Sequence, residues 1–217
     1  MEVKLIAITK FLSGDNDGPE ALIEYAGRVC YRSEPKGNPR GFVRRRVREG
    51  HESIIEHACA TFEISGISRA CSHQLVRHRI ASYSQESQRY VEMRAPEYVV
   101  PPDVAANPEA AAALAKFMDT VSQAYTELRE HGVQKEDARF VLPNAAATRI
   151  VVTMNFRSWR HVIRERGLNP AAQWEIREVA LRVLDTLNEI APAVFGDLAE
   201  ERPERQRSAG EGTSATE

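Results

Sequence analysis

Apolar and polar positions first alternate over Val3 to Ile8, which predicts an opening strand. Pro19 to Arg32 then reads as a helix with Leu22, Tyr25, Ala26, Val29 and Cys30 on one stripe, expected to face the core. Ser33 to Pro39 has the composition of a loop, and Arg40 to Arg48 that of a short, very basic helix or turn. Ala58 to Ile64 alternates again, with Ala60, Phe62 and Ile64 on one face and Cys59, Thr61 and Glu63 on the other. A helix is expected from Ser68 to His78. The clearest helix runs from Pro108 to His131, with Asn107 as N-cap, Gly132 beyond its end, and Leu114, Phe117, Met118, Val121, Tyr125 and Leu128 as a core stripe. Thr148 to Met154 is rich in β-branched residues and predicts another strand, followed by a helix near Ser158 to Arg166. Asn169-Pro170 opens a last long helix carrying Trp174, Val179, Val183, Leu184, Leu187 and Ile190. From Glu200 onward no large apolar residue occurs, so a disordered tail is expected over 200–217. The pattern describes an α+β domain over residues 1–199, with no internal repeat.

Length changes little in that picture, since 217 residues with 42% hydrophobic content suit one large domain or at most two small ones. No apolar stretch approaches the ~20 residues of a membrane span, and the first residues are too short and wrongly flanked for a secretory signal, so a cytoplasmic protein without membrane contact is expected. Cys30, Cys59 and Cys71 cannot all pair within the chain and none lies in a CxxC motif, which predicts buried, reduced thiols. A net charge of −2 argues against a bulk nucleic-acid binder. The cations are nevertheless uneven, 24 Arg against 5 Lys. Arginine's planar fork suits small polyanionic ligands, although an Arg-rich genomic composition gives the same bias. The five arginines between 40 and 48 read as a solvated face.

Three familiar chemistries fail on spacing. His57-Ala58-Cys59 and Cys71-Ser72-His73 form a mirrored pair of metal-ligand types, but positions 71 and 73 of a helix diverge by roughly 200°. His51 and His57 are six apart rather than four, which departs from the zincin pattern, and no metal is expected. Ser87 has no G-x-S-x-G elbow around it for a hydrolase nucleophile.

Residues 77 to 89 stand apart, because three arginines, one histidine, three serines, two glutamines and one glutamate occupy thirteen positions with only Ile80 and Ala81 aliphatic. No helix or strand with a core face has that pattern. It reads either as a solvated loop or as a polar cleft wall for anions and heterocycles. Arg166 is a second oddity, since it continues the apolar stripe of Trp159, Val162 and Ile163. An inward arginine there needs an anion or acceptor; the alternative is a cation at a helix C-terminus before Gly167.

These residues resemble a family. Arg77-His78-Arg79, seven residues, Ser87 and then Arg89 are similar to the signature of the flavin-dependent thymidylate synthases. The likeness covers roughly residues 20 to 195. Cys30 to Ser33, Gly50 to His57, Ala138 to Pro143, Asn155 to Ser158, Arg164 to Arg166 and Ala172 to Ile176 recur in the expected order. The resemblance implies an α+β domain with a central, mostly antiparallel sheet flanked by long helices. It implies conversion of dUMP to dTMP, with 5,10-methylenetetrahydrofolate as carbon donor, FAD as hydride carrier and NADPH as reductant, in a homotetramer whose active sites are shared between subunits. By the same resemblance, Gln74, Arg77, Gln85, Ser87, Arg89, Arg139 and Arg166 are expected to contact dUMP, with Ser87 and Arg166 acting on the chemistry. Position 85 is often Glu in the family, which leaves any role needing a carboxylate there without its group. Ser53, Arg77, His78, Arg79, Gln85, Asn155, Arg157 and His161 are expected to hold FAD, and His51 to lie near the flavin ring. No Gly-rich dinucleotide fingerprint is present, so the FAD pyrophosphate is expected to rest on side chains.

Two other functions share parts of this pattern. An RNA-binding module would use the arginines at 40 to 48 and 77 to 89, but only Tyr83 and Tyr90 are near enough to stack bases. A flavin enzyme methylating uracil in RNA would need a larger basic surface.

Overall fold

In chain order, the computed structural model, which describes residues 1–13, 18–34 and 37–202, sets strands among helices as follows. β1 (Glu2–Ile8) is followed by α1 (Pro19–Val29), α2 (Pro39–Arg48) and a 3₁₀ helix, Glu52–His57. β2 (Cys59–Ser68), α3 (Arg69–Leu75), β3 (Ser82–Gln85), α4 (Pro102–Ala105), α5 (Pro108–Glu130), α6 (Lys135–Ala138) and a second 3₁₀ helix, Arg139–Val141, come next. β4 (Ala147–Asn155), α7 (Phe156–Val162), a π-helical segment Ile163–Leu168, α8 (Trp174–Ile190) and α9 (Pro192–Glu201) complete it.

The strands form an antiparallel sheet in the order β1-β2-β4-β3, the architecture expected from the resemblance. β2 buries Ala60, Phe62 and Ile64 as its alternation predicts, and extends four residues past the predicted end. Gly66 is what interrupts the alternation: it has φ +66°, and a Cβ there would lie 3.2 Å from the Met1 amino nitrogen, so only glycine fits. β4 buries Thr148, Ile150, Val152 and Met154 on one face.

Contacts divide the described chain into two compact units. One comprises Met1–Glu2, Glu63–Arg77 and Tyr83–Val151; the other comprises Val3–Phe62, His78–Ser82 and the chain from Val152 onward.

In the second unit α1 turns the opposite face inward from the one its apolar residues predicted. Ile23, Gly27, Glu20 and Glu24 are buried, whereas Tyr25, Val29 and Cys30 are exposed. Paired carboxylates explain the reversal. Glu20 accepts from the Ala193 amide at 2.8 Å and pairs with Arg40 at 3.3 Å, while Arg28 Nε donates to Glu24 at 2.8 Å. A buried carboxylate so satisfied no longer opposes burial. Gly27 makes room for the Phe42 ring, which lies 2.8 Å from where a Cβ would stand.

The last long helix also starts later than predicted. Gln173, not Asn169, is the N-cap of α8, its side chain accepting from the amides of Glu175 at 3.0 Å and Ile176 at 3.3 Å. Asn169 Oδ1 instead closes a turn on the Ala171 amide at 2.9 Å, because the π segment still occupies the chain to Leu168. α9 carries the chain through Glu201, two residues into the expected tail; residues 203–217 of that tail lie outside the described residues, as do Pro35 and Lys36 of the predicted loop.

In the first unit Asn107 caps α5 as predicted, accepting from the amides of Glu109 and Ala110. Met118, Val121 and Tyr125 are buried along it, and Tyr125 packs with Met93 and Ala138; Phe117, expected in that stripe, is 49% exposed. α3 is capped by Ser68 and ends at Leu75, so Arg77 and His78 leave the helix that was expected to include them. No described helix is long and apolar enough to cross a membrane.

Candidate functional site

The signature histidine meets Arg166 in the second unit. Arg166 Nε donates to His78 Nε2 at 3.1 Å, and the His161 ring stands edge-on to His78 with centroids 5.5 Å apart. Local sequence explains how Arg166 arrives there. Trp159, Val162 and Ile163 are fully buried, as the stripe predicted, and the following residues open into a π helix. The wider π turn shifts the phase of the side chains after Ile163, and π segments are frequent at functional sites. Arg166 is therefore half-buried against an acceptor rather than a free cation at a helix end. The acceptor must be neutral at Nε2, which puts the imidazole proton on Nδ1. Burial, the Arg166 charge and His161 together lower the His78 pKa from 6.5 to about 4, against a smaller opposing effect of Glu165.

Of the other residues expected to hold flavin, Arg79 follows His78 in the second unit, five more fall there on two further elements, and Arg77 and Gln85 belong to the first unit. Gly50, at φ +78°, turns the chain after α2 so that the His51 amide donates to Arg46 O at 2.9 Å. His51 and Ser53 are then exposed at the start of the 3₁₀ helix. Asn155 ends β4 and caps α7, accepting from the Ser158 amide at 2.8 Å, while Arg157 and His161 are exposed on α7. Arg157 is not a lone cation, since it pairs with Glu56 at 2.6 Å and Glu52 at 3.7 Å. Arg79 is exposed and, among the described residues, has no carboxylate partner. Beneath this face lies Arg160, 1% exposed and bonded to both Asp197 oxygens at 2.6 Å.

The nucleotide residues expected in the first unit also gather. Arg89 pairs with Glu136, its Nε at 3.0 Å and Nη2 at 2.9 Å, and Arg139 Nε donates to the carbonyl of the same Glu136 at 3.0 Å. Two guanidinium groups thus converge on one residue. Ser87 Oγ accepts from the Arg89 amide at 3.3 Å, which leaves its hydroxyl proton to donate elsewhere. Gln85 is turned inward, its amide nitrogen donating to Ser72 Oγ at 2.9 Å and Thr148 Oγ1 at 3.2 Å. Gln74 is half-buried on α3 and Arg77 is exposed. Tyr83 donates to the Leu75 carbonyl at 2.8 Å, and burial pushes its phenol up to about 12.

Arg69 and Arg160 were not singled out by the sequence, although both anchor these clusters. Arg69 reaches the Glu86 carbonyl, Thr148 and Gln88, each at 3.3 Å; burial and the Arg139 charge lower its pKa. Spacing along one helix gave no signal for either, because their partners lie far away in sequence.

Residues 11–193 match the family described as "Thymidylate synthase complementing protein". The chain is also similar to the flavin-dependent thymidylate synthases of Mycobacteroides abscessus and Mycobacterium avium, at 44% identity in each case, and to that of Mycobacterium tuberculosis, at 42%. Each comparison covers 91% of this chain and 89% of the relative.

Proposed function

Because the chain belongs to the flavin-dependent thymidylate synthase family, we propose that its described residues carry the conversion of dUMP to dTMP as follows. The carbon comes from 5,10-methylenetetrahydrofolate and the reductant is NADPH. Bound FAD, once reduced, supplies the hydride that completes the methyl group.

The observation that carries the residue assignment is the Arg166–His78 hydrogen bond, which joins the signature to a cation 88 residues away. A guanidinium held at Nε keeps its two Nη groups as a fixed fork, the geometry that stabilises negative charge developing on a uracil ring. Arg166 is assigned that role. Ser87, Arg89 and Arg139 take the nucleotide, with its phosphate competing with the Glu136 carboxylate for Arg89, and the Ser87 hydroxyl proton is also assigned a part in the chemistry. Gln74, Arg77 and Gln85 complete the nucleotide contacts, with Gln85 acting through its remaining acceptor oxygen.

The donor set suits FAD: exposed Arg79 and Arg157 supply cations for a diphosphate, while Ser53, Asn155 and Arg77 add hydrogen-bonding groups. His78 and His161 offer flat imidazole faces, and His51, exposed at the start of the 3₁₀ helix, would contact the flavin ring. Gln85, turned toward Ser72, is the weakest member of the flavin set.

A homotetramer with shared active sites is the assembly we assign, in keeping with the family resemblance; Tyr25 and Val29, exposed one turn apart on α1, are candidates for its contacts. A cytoplasmic location is the one we assign, in keeping with cysteines that form no disulfide among the described residues. Purified protein should show flavin absorbance and form dTMP only when dUMP, the folate donor and NADPH are all present. A colourless protein that takes up no added FAD would overturn the reading. Light scattering should return the mass of four chains.

A further inference from the structure

Glu52 lies between His51 and Ser53, and it is partly buried by a contact that neither neighbour makes. Three guanidinium groups from one helical stretch meet its carboxylate. Arg157 Nε is 3.7 Å from Oε2, while Arg160 Nε and Arg164 Nη1 are each 3.4 Å from Oε1. Residues 157, 160 and 164 are spaced by three and four, so they stack along one side of the helix.

Arg160 is the centre of this group. At 1% exposure its guanidinium has left water, and it donates to both oxygens of Asp197 and to the Val194 carbonyl in α9. Burial alone would lower its pKa; the bonds to Asp197, reinforced by Glu52, outweigh it and raise the value instead. Asp197 in turn is held below its usual range by Arg160 and Arg164, despite its own burial. The α9 side therefore neutralises the cation already. What the Glu52 contact adds is a tie from α7 to the 3₁₀ helix.

Those two elements and their caps carry five of the residues assigned above to flavin: His51 and Ser53 on one side, Asn155, Arg157 and His161 on the other. We propose that Arg160 is a positioning residue whose bond to Glu52 fixes the separation of these two sides and thereby sets flavin affinity. The inference rests on the flavin assignment. A bidentate, buried guanidinium is a rigid strut, because its five donors are planar and its side chain has no solvent in which to reorient. Glu56, which pairs with Arg157 at 2.6 Å, repeats the tie at the exposed rim, where an ion pair contributes little.

The contact could serve stability alone, and removing one or the other carboxylate held by the same guanidinium separates the cases. Glu52→Gln removes the carboxylate on the flavin side; Asp197→Asn removes the one in α9. Apoprotein of each would be titrated with FAD and followed by flavin fluorescence, with circular dichroism melting as the measure of folding. Both variants should melt earlier than the parent. The FAD dissociation constant should rise about tenfold in Glu52→Gln, the scale of one lost charge-assisted bond, and stay within about twofold in Asp197→Asn. Glu52→Asp, which keeps the charge on a shorter arm, should recover part of the loss. Equal weakening in Glu52→Gln and Asp197→Asn, or none in Glu52→Gln, overturns the inference while leaving the flavin assignment standing. A parent chain that binds no FAD overturns that assignment and the inference with it.

Discussion

Arg166 Nε donates to His78 Nε2 at 3.1 Å, a bond that requires a neutral histidine and sets the direction of the arginine. A protonated imidazole has no lone pair at Nε2 and would confront the guanidinium with a like charge. The pair therefore exists only with His78 neutral.

The folded His78 is depressed to about 4 from 6.5, chiefly by burial and then by Arg166 and His161. The unfolded chain takes up the proton first as pH falls. The stability linked to this group is thus present in full above pH 6.5 and is lost as pH falls through about 4. Because His78 is only half-buried, the effect is modest. Urea unfolding of the ligand-free protein should show a midpoint that drops over this window more steeply than in His78→Gln. Carboxylates titrating in the same range are common to both proteins, so parallel curves would contradict the assignment.

Ser87 tests the nucleotide cluster. Its Oγ accepts from the Arg89 amide at 3.3 Å, so Ser87→Ala removes a turn bond and the hydroxyl proton together. A single such bond is worth about 1 kcal/mol net, too little to unfold the chain. Turnover of dUMP should fall by about 100-fold or more, as for a donor acting in the transition state. FAD binding should hold steady. Unchanged turnover at saturating dUMP would remove Ser87 from the chemistry.

Much of this arrangement was legible along the chain, but only where neighbours in sequence are also neighbours in space. The alternation of Ala60, Phe62 and Ile64 and the Asn107 cap are local, and both appear as predicted. The α1 stripe was misread because Glu20 and Glu24 are buried by partners that a hydrophobicity pattern does not register: Glu20 bonds the Ala193 amide 173 residues away. Arg160 went unnoticed for the same reason, since Glu52 lies 108 residues away. A regular helical period leaves Arg166 either inward or at a helix end, because its acceptor and the π widening that turns it are invisible in that period. Family resemblance supplied the roles; the distances supplied the contacts.

Glu136 restrains Arg89. Both side chains are about half exposed, 49% and 52%, so their ion pair is screened by water. Exposed pairs contribute about 0.2–1 kcal/mol, which bounds what a nucleotide phosphate gains when the competing carboxylate is removed. Glu136→Gln should therefore lower the KM for dUMP by at most about fivefold, with kcat unchanged. The gain should fade as salt is raised, because screening weakens the original pair. A higher KM would instead make Glu136 part of the phosphate site.

Gly167, next to Arg166, reports on whether the π segment must stay where it is. Gly167 is buried, and an added Cβ would stand 3.3 Å from Ala180 Cβ and 3.5 Å from Leu181 Cδ2 in α8. Ala180 Cβ is attached to the helix backbone and cannot rotate aside, so the two helical segments must separate by a few tenths of an ångström. Two effects oppose each other in Gly167→Ala. Replacing a helical glycine gains about 0.5–1 kcal/mol, whereas overpacking a filled contact costs about 1–3 kcal/mol. Overpacking wins, and the melting temperature should fall. Moving residue 167 also tilts the Arg166 side chain relative to His78, so dUMP affinity should drop by more than FAD affinity. Arg166→Ala, measured beside it by calorimetric titration, should lose dUMP binding and turnover at least as severely with a smaller change in melting temperature. If Gly167→Ala melts at the parent temperature and binds dUMP normally, α8 does not hold the π segment in place. If Arg166→Ala weakens FAD more than dUMP, Arg166 serves the flavin and not the uracil ring.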